Sequence, residues 1–183
     1  ASSSEGGARS PDSANDDDLA SLWKSNFYED DEESPIWIYA DLGSNHYVKK
    51  VILHLGIYAN DDAFPSGFEF QYSLDGLNWE LVPGQKYAGF ERTSSTSTGN
   101  SKETFDFYTV VKARFIKLIC YVCGWSHGHI PQTRWMNIQE FDIYHMENWD
   151  EKYNKYEVSD AVQKYYFFSE GRYFSGNFDH LTN

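Results

Sequence analysis

The sequence predicts an antiparallel β-sandwich. Short runs of alternating, β-branched and aromatic residues recur along 183 residues, with Gly, Asn, Asp and Pro between them. No strong helical period appears. Hydrophobic residues make up 40% and aromatics 18%, enough for one domain with a full core. Aromatics in such number serve a sandwich core or a glycan-binding surface, and the core reading comes first.

The elements follow in order. Residues 1–20 are rich in Ser, Gly and Asp and read as loop. Residues 36–42 form a strand that Asp41-Leu42-Gly43 ends with turn chemistry, and 48–55 form a second. Tyr58 to Gly67 reads as loop. Phe68, Phe70 and Tyr72 alternate with Glu69, Gln71 and Ser73, a half-buried strand. Asp75-Gly76 is a hairpin-type turn, and Trp79 to Val82 continue beyond it. A polar loop spans 88–103, two strands fall in 105–122, a loop covers 123–136, and 137–145 is the last clear strand. Residues 147–183 hold ten aromatics and no repeat of the earlier motifs. Val158 to Phe168 is compatible with a short helix, and the whole stretch is expected to pack as an appendage or to lead into another module.

Net charge is −13 and the sequence pI about 4.7, which argues against nucleic acid as a partner. Anionic membranes and sulfated glycans are disfavoured for the same reason. Residues 1–33 carry ten acids against Arg9 and Lys24, either a solvated acidic face or in part a cation site. No apolar run reaches the ~20 residues of a membrane helix, and no signal peptide is present. The chain starts with Ala and reads as an excised fragment or mature form.

Four segments then stand together in fixed order: Trp37-Ile-Tyr-Ala-Asp-Leu-Gly43, Tyr72-Ser-Leu-Asp-Gly-Leu-Asn-Trp79, Ala113-Arg-Phe-Ile-Lys-Leu118 and Asn137-Ile-Gln-Glu-Phe-Asp-Ile-Tyr144. With Asp16-Asp-Asp-Leu-Ala-Ser-Leu-Trp23 they resemble the discoidin domain, the coagulation factor V/VIII C-type fold, and most closely family-32 carbohydrate-binding modules. The resemblance covers about residues 1–146, leaving 147–183 as a C-terminal extension or linker. It implies a discoidin, galactose-binding-like jelly roll and a non-catalytic binding module. The family commonly has Asp-Gly-Asp where this chain has Asp16-Asp17-Asp18, and Thr where it has Ser21. A glycine at that centre supplies φ > 0 without strain, and Asp tolerates that region better than most residues.

In the family this loop holds a structural calcium completed by a Glu on the last strand. Residue by residue, that implies Asp16, Asp18, Ser21 and Glu140 as ligands. The chemistry is reasonable, because hard cations take six to eight oxygens and Asp16, Asp18 and Ser21 lie within six residues. Without the resemblance the same residues read as a solvated turn and a surface strand position.

Cys120-Tyr-Val-Cys123-Gly-Trp-Ser-His127-Gly-His129 has zinc-type ligands but spacing too compact for paired knuckles. If the strand runs through 123, the cysteines point to opposite faces. Two free buried cysteines are the first reading, a local disulfide the second and zinc the third.

A sugar site needs exposed aromatics and several planar polar groups. The resemblance places such sites on loops at one end of the sandwich. Two loops here hold that mixture, Tyr58 to Phe64 and Gly124 to Trp135. Tyr58, Asp62, Phe64, Trp125, His127, His129, Arg134 and Trp135 are the candidate contacts, with Arg92 from the middle loop. Phe64 reads equally as a plug of the sandwich end and Trp135 equally as core. Trp23, Trp37 and Trp79 are assigned to the core.

No nucleophile elbow, zinc-protease helix or phosphate-cradling loop appears, so no catalytic residue is assigned. The expected protein is a secreted or cell-surface carbohydrate-binding module, a monomeric unit within a longer glycan-active enzyme. Its structural cofactor is Ca2+. It recognises sugars of the galactose, N-acetylgalactosamine or N-acetylglucosamine class, and inserts into no membrane. The alternative is a protein-adhesion or lipid-binding discoidin domain.

Overall fold

Two long strands, joined by more backbone pairing than any other pair, form the spine of the protein. The computed structural model describes residues 1–4, 9–26, 28, 29, 35–56, 63–93, 101–124, 133–146, 165–169 and 172–176. The chain divides into two compact units, Ala1–Glu147 and Asn148–Asn183.

Among the described residues of the first unit a 3-10 turn, Pro11–Ala14, precedes nine strands. They are β1 (Trp23–Lys24), β2 (Tyr28–Glu29), β3 (Ile36–Leu55), β4 (Phe64–Ser73), β5 (Glu80–Tyr87), β6 (Ser101–Gly124), β7 (Thr133–Arg134), β8 (Asn137–Ile138) and β9 (Glu140–Met146). A five-stranded sheet runs β5-β4-β6-β3-β9, and β1-β8 and β2-β7 form two-stranded pairs. All the pairings are antiparallel, and the architecture is a β-sandwich.

The core follows the two-residue period. Ile36 and Ile38 on β3, Phe68 and Phe70 on β4, and Ile116 and Leu118 on β6 all point inward and are buried. Trp23, Met136 and Ile138 join the same core from β1, β8 and the residue before β8. Phe68, Phe70, Tyr87, Phe90 and Phe105 form a linked set of rings, Phe68 stacked on Tyr87 and the others edge-on or tilted. The aromatic content therefore serves packing in large part.

Two expected breaks are absorbed within single strands. Leu42 to Asn45 form an excursion between Asp41 and His46, with Gly43 at φ 77, and β3 continues beyond it. The two strands expected in 105–122 are one, β6, irregular opposite Val48 to Lys50. Phe64 to Gly67, expected as loop, already belong to β4, and Ser101 to Glu103 already belong to β6.

Trp37 and Trp79 are half-buried on the sheet's outer face, which corrects their assignment to the core. The same alternation that turns Ile36 and Ile38 inward turns Trp37 and Tyr39 outward. Trp37 lies 5.8 Å from Tyr39, Tyr39 lies 5.8 Å from Trp79, and Phe115 closes the group. The Lys117 ammonium stands 3.4 Å from the centre of the Trp79 ring, and burial pushes its pKa down. Three of the recurring sequence segments meet in this cluster. Beside it Arg114 grips Asp41 with two 2.8 Å hydrogen bonds, which hold the Asp41 carboxyl down at about 2.

The Asp75-Gly76 turn forms with Gly76 at φ 74, and the Asp75 carboxylate accepts the Leu77 and Asn78 amides at 2.8 Å. Those amides hold its carboxyl well below the usual range.

A bulge resets the phase of β6 near its end. Cys120 pairs with Phe68 and Val122 with Gly67, so Tyr121 is the extra residue. Tyr121 and Val122 are both exposed, and Cys123 returns to the buried face that Cys120 occupies. The expectation of opposite faces for the two cysteines in a continuous strand is thereby corrected.

In the second unit, β10 (Tyr165–Ser169) pairs antiparallel with β11 (Arg172–Gly176). Residues 165–168 are thus strand, not the end of a helix. Residues 158–164 of that expected helix lie outside the described residues.

Candidate functional site

Backbone pairing gathers the flanks of several segments at one place. Phe64 at the start of β4 pairs with Gly124 at the end of β6. The Asn137 amide donates to the Ala63 carbonyl at 3.0 Å, and the Phe90 amide to the Ser66 carbonyl at 2.8 Å. Arg92 lies over the Phe64 ring, 5.6 Å from its centre. β2 and β7 pair Tyr28 with Arg134. Ala63, Gly124 and Thr133 are the chain flanks of segments 57–62 and 125–132, which hold most of the candidate sugar contacts.

Of those contacts, Tyr58, Asp62, Trp125, His127 and His129 lie outside the described residues. Arg134 is placed by its backbone alone. Phe64 is 8% exposed and packs in the core, while Trp135 is 1% exposed with the Lys24 ammonium 5.2 Å from its ring. Neither offers a free face to a sugar, so both leave the set of stacking candidates. Arg92, expected to reach ligand, is 7% exposed and held against Phe64. Contacts distant in sequence decide the burial of all three.

A second locus is built by the acidic loop before β1. The Asp16 carboxylate accepts the Asp18 amide at 3.0 Å and the Ser21 hydroxyl at 2.8 Å. Glu140, 4% exposed at the start of β9, reaches the Asp18 amide at 3.1 Å across the sandwich. Gln139, beside it, donates its side-chain amide to the Leu19 carbonyl at 2.6 Å. That reach depends on Gly56, where an added Cβ would stand 2.2 Å from the Gln139 side chain.

The loop is rich in oxygen and poor in protons. Ser21 Oγ has both Asp16 carboxylate oxygens and the carbonyls of Asp18 and Ser13 within 3.2 Å. One hydroxyl hydrogen satisfies one of them. Burial, then the charges of Asp16 and Asp142, push the Glu140 carboxyl up, while the Ser21 hydroxyl pulls Asp16 down. Asp18 contributes from both its side chain and its backbone. Its carboxylate accepts the Ala20 amide at 2.9 Å, and its carbonyl faces Ser21. Among the described residues no three His, Cys, Asp or Glu side chains converge as a metal cage. The oxygens that do converge are two carboxylates, one hydroxyl and two carbonyls.

Asp17 takes φ 58, the left-handed conformation that glycine adopts without strain. It is the only non-glycine with positive φ among the described residues. Its side chain is exposed, so backbone fit decides what it tolerates. Asp17→Val is expected to cost about 1 kcal/mol in urea denaturation, because a β-branched residue is strained there. Asp17→Gly is expected to avoid that cost. Equal stability of the Val variant and wild type would show that the loop does not need this conformation.

Comparison with known proteins follows this geometry. The F5/8 type C domain model matches residues 1–130. A chitosan-binding module of a chitosanase/glucanase from Paenibacillus sp. IK-5 is 27% identical, with TM-score 0.54, over 78% of this chain and 90% of that one. A family-32 module of a family 31 glycoside hydrolase from Clostridium perfringens is 15% identical, with TM-score 0.61, over 78% and 86%. The family-32 module of C. perfringens NanJ, solved with galactose, is 17% identical, with TM-score 0.53, over 76% and 88%. No curated protein sequence matches.

Proposed function

The chain belongs to the F5/8 type C, or discoidin, domain family, matched across residues 1–130, and from that membership we propose that it is a non-catalytic carbohydrate-binding module. The likeness to the chitosan-binding module, at 27% identity over nine-tenths of that module's length, carries the reading. The module holds a glycan while a catalytic unit elsewhere in a longer secreted or surface-attached enzyme, a glycoside hydrolase or lyase, does the chemistry. Among the described residues no helix is long and apolar enough to cross a membrane.

The sugar is of the galactose, N-acetylgalactosamine or N-acetylglucosamine class. Segments 57–62 and 125–132 supply the contacts, with Tyr58, Asp62, Trp125, His127 and His129 as the side chains whose chemistry suits a sugar. Arg134 adjoins them in sequence. Burial of Phe64 and Trp135 leaves Trp125 as the stacking indole of the second segment.

Calcium is part of the proposal. The residues fit it: Asp16, Ser21 and Glu140 with the carbonyls of Ser13 and Asp18 make an oxygen-only set, which a hard divalent cation prefers. Among the described residues neither Asp16 nor Glu140 has a Lys or Arg partner. A bound calcium would neutralise the facing carboxylates and tie the N-terminal loop to β9.

A glycan array probed with the whole chain tests the reading. Single-site binding is expected in the micromolar to millimolar range, about −8 to −4 kcal/mol. Trp125→Ala is expected to weaken it about tenfold or more, roughly 1.4 kcal/mol, with the melting temperature unchanged. Glucosamine oligomers belong on the array, given the chitosan-binding relative. No binding on a broad array would sink the carbohydrate reading, and sedimentation with lipid vesicles would then support the lipid-binding alternative.

A further inference from the structure

The bulge at Tyr121 has a chemical consequence that is independent of any sugar. It brings Cys120 and Cys123 to one buried face with their sulfur atoms 3.7 Å apart. They are the only cysteines in the chain, so each has one intrachain partner. We propose that the pair is a covalent modification site: a thiol–disulfide oxidant such as oxidised glutathione converts it to an intrachain disulfide that staples the bulge.

The geometry favours this product over others. A disulfide needs sulfurs about 2.05 Å apart, and here the two sulfurs already stand 3.7 Å apart on one face, in van der Waals contact. A regular strand would have turned them apart. The Cys120 thiol donates to the Val122 carbonyl at 3.2 Å, which aims it along the bulge toward Cys123.

Exposure sets the order of steps. Cys123 is 9% exposed and Cys120 is fully buried. The Cys123 thiolate attacks one sulfur of oxidised glutathione, forming a mixed disulfide and releasing one glutathione thiolate. The Cys120 sulfur then attacks Cys123, closing the intrachain bond and releasing the second glutathione. The protein loses two protons and two electrons, and the glutathione disulfide gains the two electrons.

Intact mass and thiol counting on the whole chain test the proposal. In dithiothreitol, alkylation under denaturing conditions should label two thiols. After native incubation with oxidised glutathione, no thiol should label, and the mass should fall by two hydrogen atoms without a glutathione adduct or dimer. Cys120→Ser should stop at the mixed disulfide, retaining one glutathione on Cys123. Cys123→Ala, a second variant, should leave the buried Cys120 unmodified until denaturant is added. The idea fails if native wild type keeps both thiols, if it ends as a stable glutathione adduct, or if it links to a second chain.

Discussion

Trp135→Ala is expected to lower the stability of the sandwich by about 3–5 kcal/mol, the usual cost of removing a buried large aromatic. Trp135 is 1% exposed, among the largest fully buried side chains. Its neighbours Met136, Asn137 and Ile138 are also buried, so the segment leading into β8 has little freedom to collapse into the space. In a unit of this size that loss corresponds to a fall in melting temperature of roughly 10 °C. The alternative reading of the same residue, as a sugar-stacking ring on a loop, gives the opposite pattern of intact melting and weakened binding. Tyr39→Ala is the control, since Tyr39 is 42% exposed on the outer face and should cost much less. A Trp135→Ala protein that melts with wild type would show that its ring is not packed as described.

Chelation carries the other large effect. A ligand bound only by the native state stabilises it by about 2.7 kcal/mol at a hundredfold excess over its dissociation constant. Calcium at that excess should raise the melting temperature of chelator-treated protein, and chelator should reverse it. Glu140→Gln should remove the response, because it deletes a carboxylate without deleting the side chain. Asp18→Ala should retain much of it, since the Asp18 oxygen that faces Ser21 is the carbonyl, which the substitution keeps. The response also depends on pH. Without metal, Glu140 titrates above its ordinary range in the folded state, so the native state holds the proton more tightly than the unfolded chain. Metal-free protein therefore gains stability from this group as pH falls from neutral through that raised value. The calcium form needs Glu140 ionised, so the calcium-dependent rise should shrink over the same interval. Melting curves that calcium never moves, in protein first stripped of metal, would eliminate the site.

Strand identity was legible wherever one face was apolar and the other polar. Phe68, Phe70 and Tyr72 alternate with Glu69, Gln71 and Ser73, and β4 contains that run, though it begins earlier, at Phe64. Facing was harder to read where both faces are apolar. Ile36, Trp37, Ile38 and Tyr39 give no contrast, so the outward turn of Trp37 was hidden. The phase of Cys120 and Cys123 was hidden for another reason, because nothing in Tyr121-Val122 announces the bulge, which shows only in the register against Gly67 and Phe68. The pairing of residues 165–169 with 172–176 did leave a signal. Glu170-Gly171 separates two aromatic runs at two-residue spacing, the pattern of a short hairpin loop.

At the metal loop the residue types were legible and their roles only partly so. Acids, a serine and a distant glutamate could be matched to a motif. Which oxygen of Asp18 turns inward depends on backbone torsions that the motif does not encode. Phe64 and Trp135 stay open in the sequence between core and ligand contact, because their burial depends on partners far along the chain. Ala63, next to Phe64, is tied to Asn137, two residues beyond Trp135, by one backbone hydrogen bond.

The outer-face cluster also determines how the protein interacts with light. Trp37, Tyr39 and Trp79 sit in a chain with 5.8 Å between successive ring centres, close enough for their electronic transitions to couple. A cation 3.4 Å from the Trp79 ring polarises that indole further. Among the described indoles, near-ultraviolet circular dichroism and quencher-accessible emission should thus be weighted toward this patch on the sheet, while Trp23 and Trp135 emit from the buried interior. A titration followed only by total tryptophan emission would mix scaffold and ligand signals, and the outer-face chromophores provide an internal reference that should stay constant while a loop indole responds.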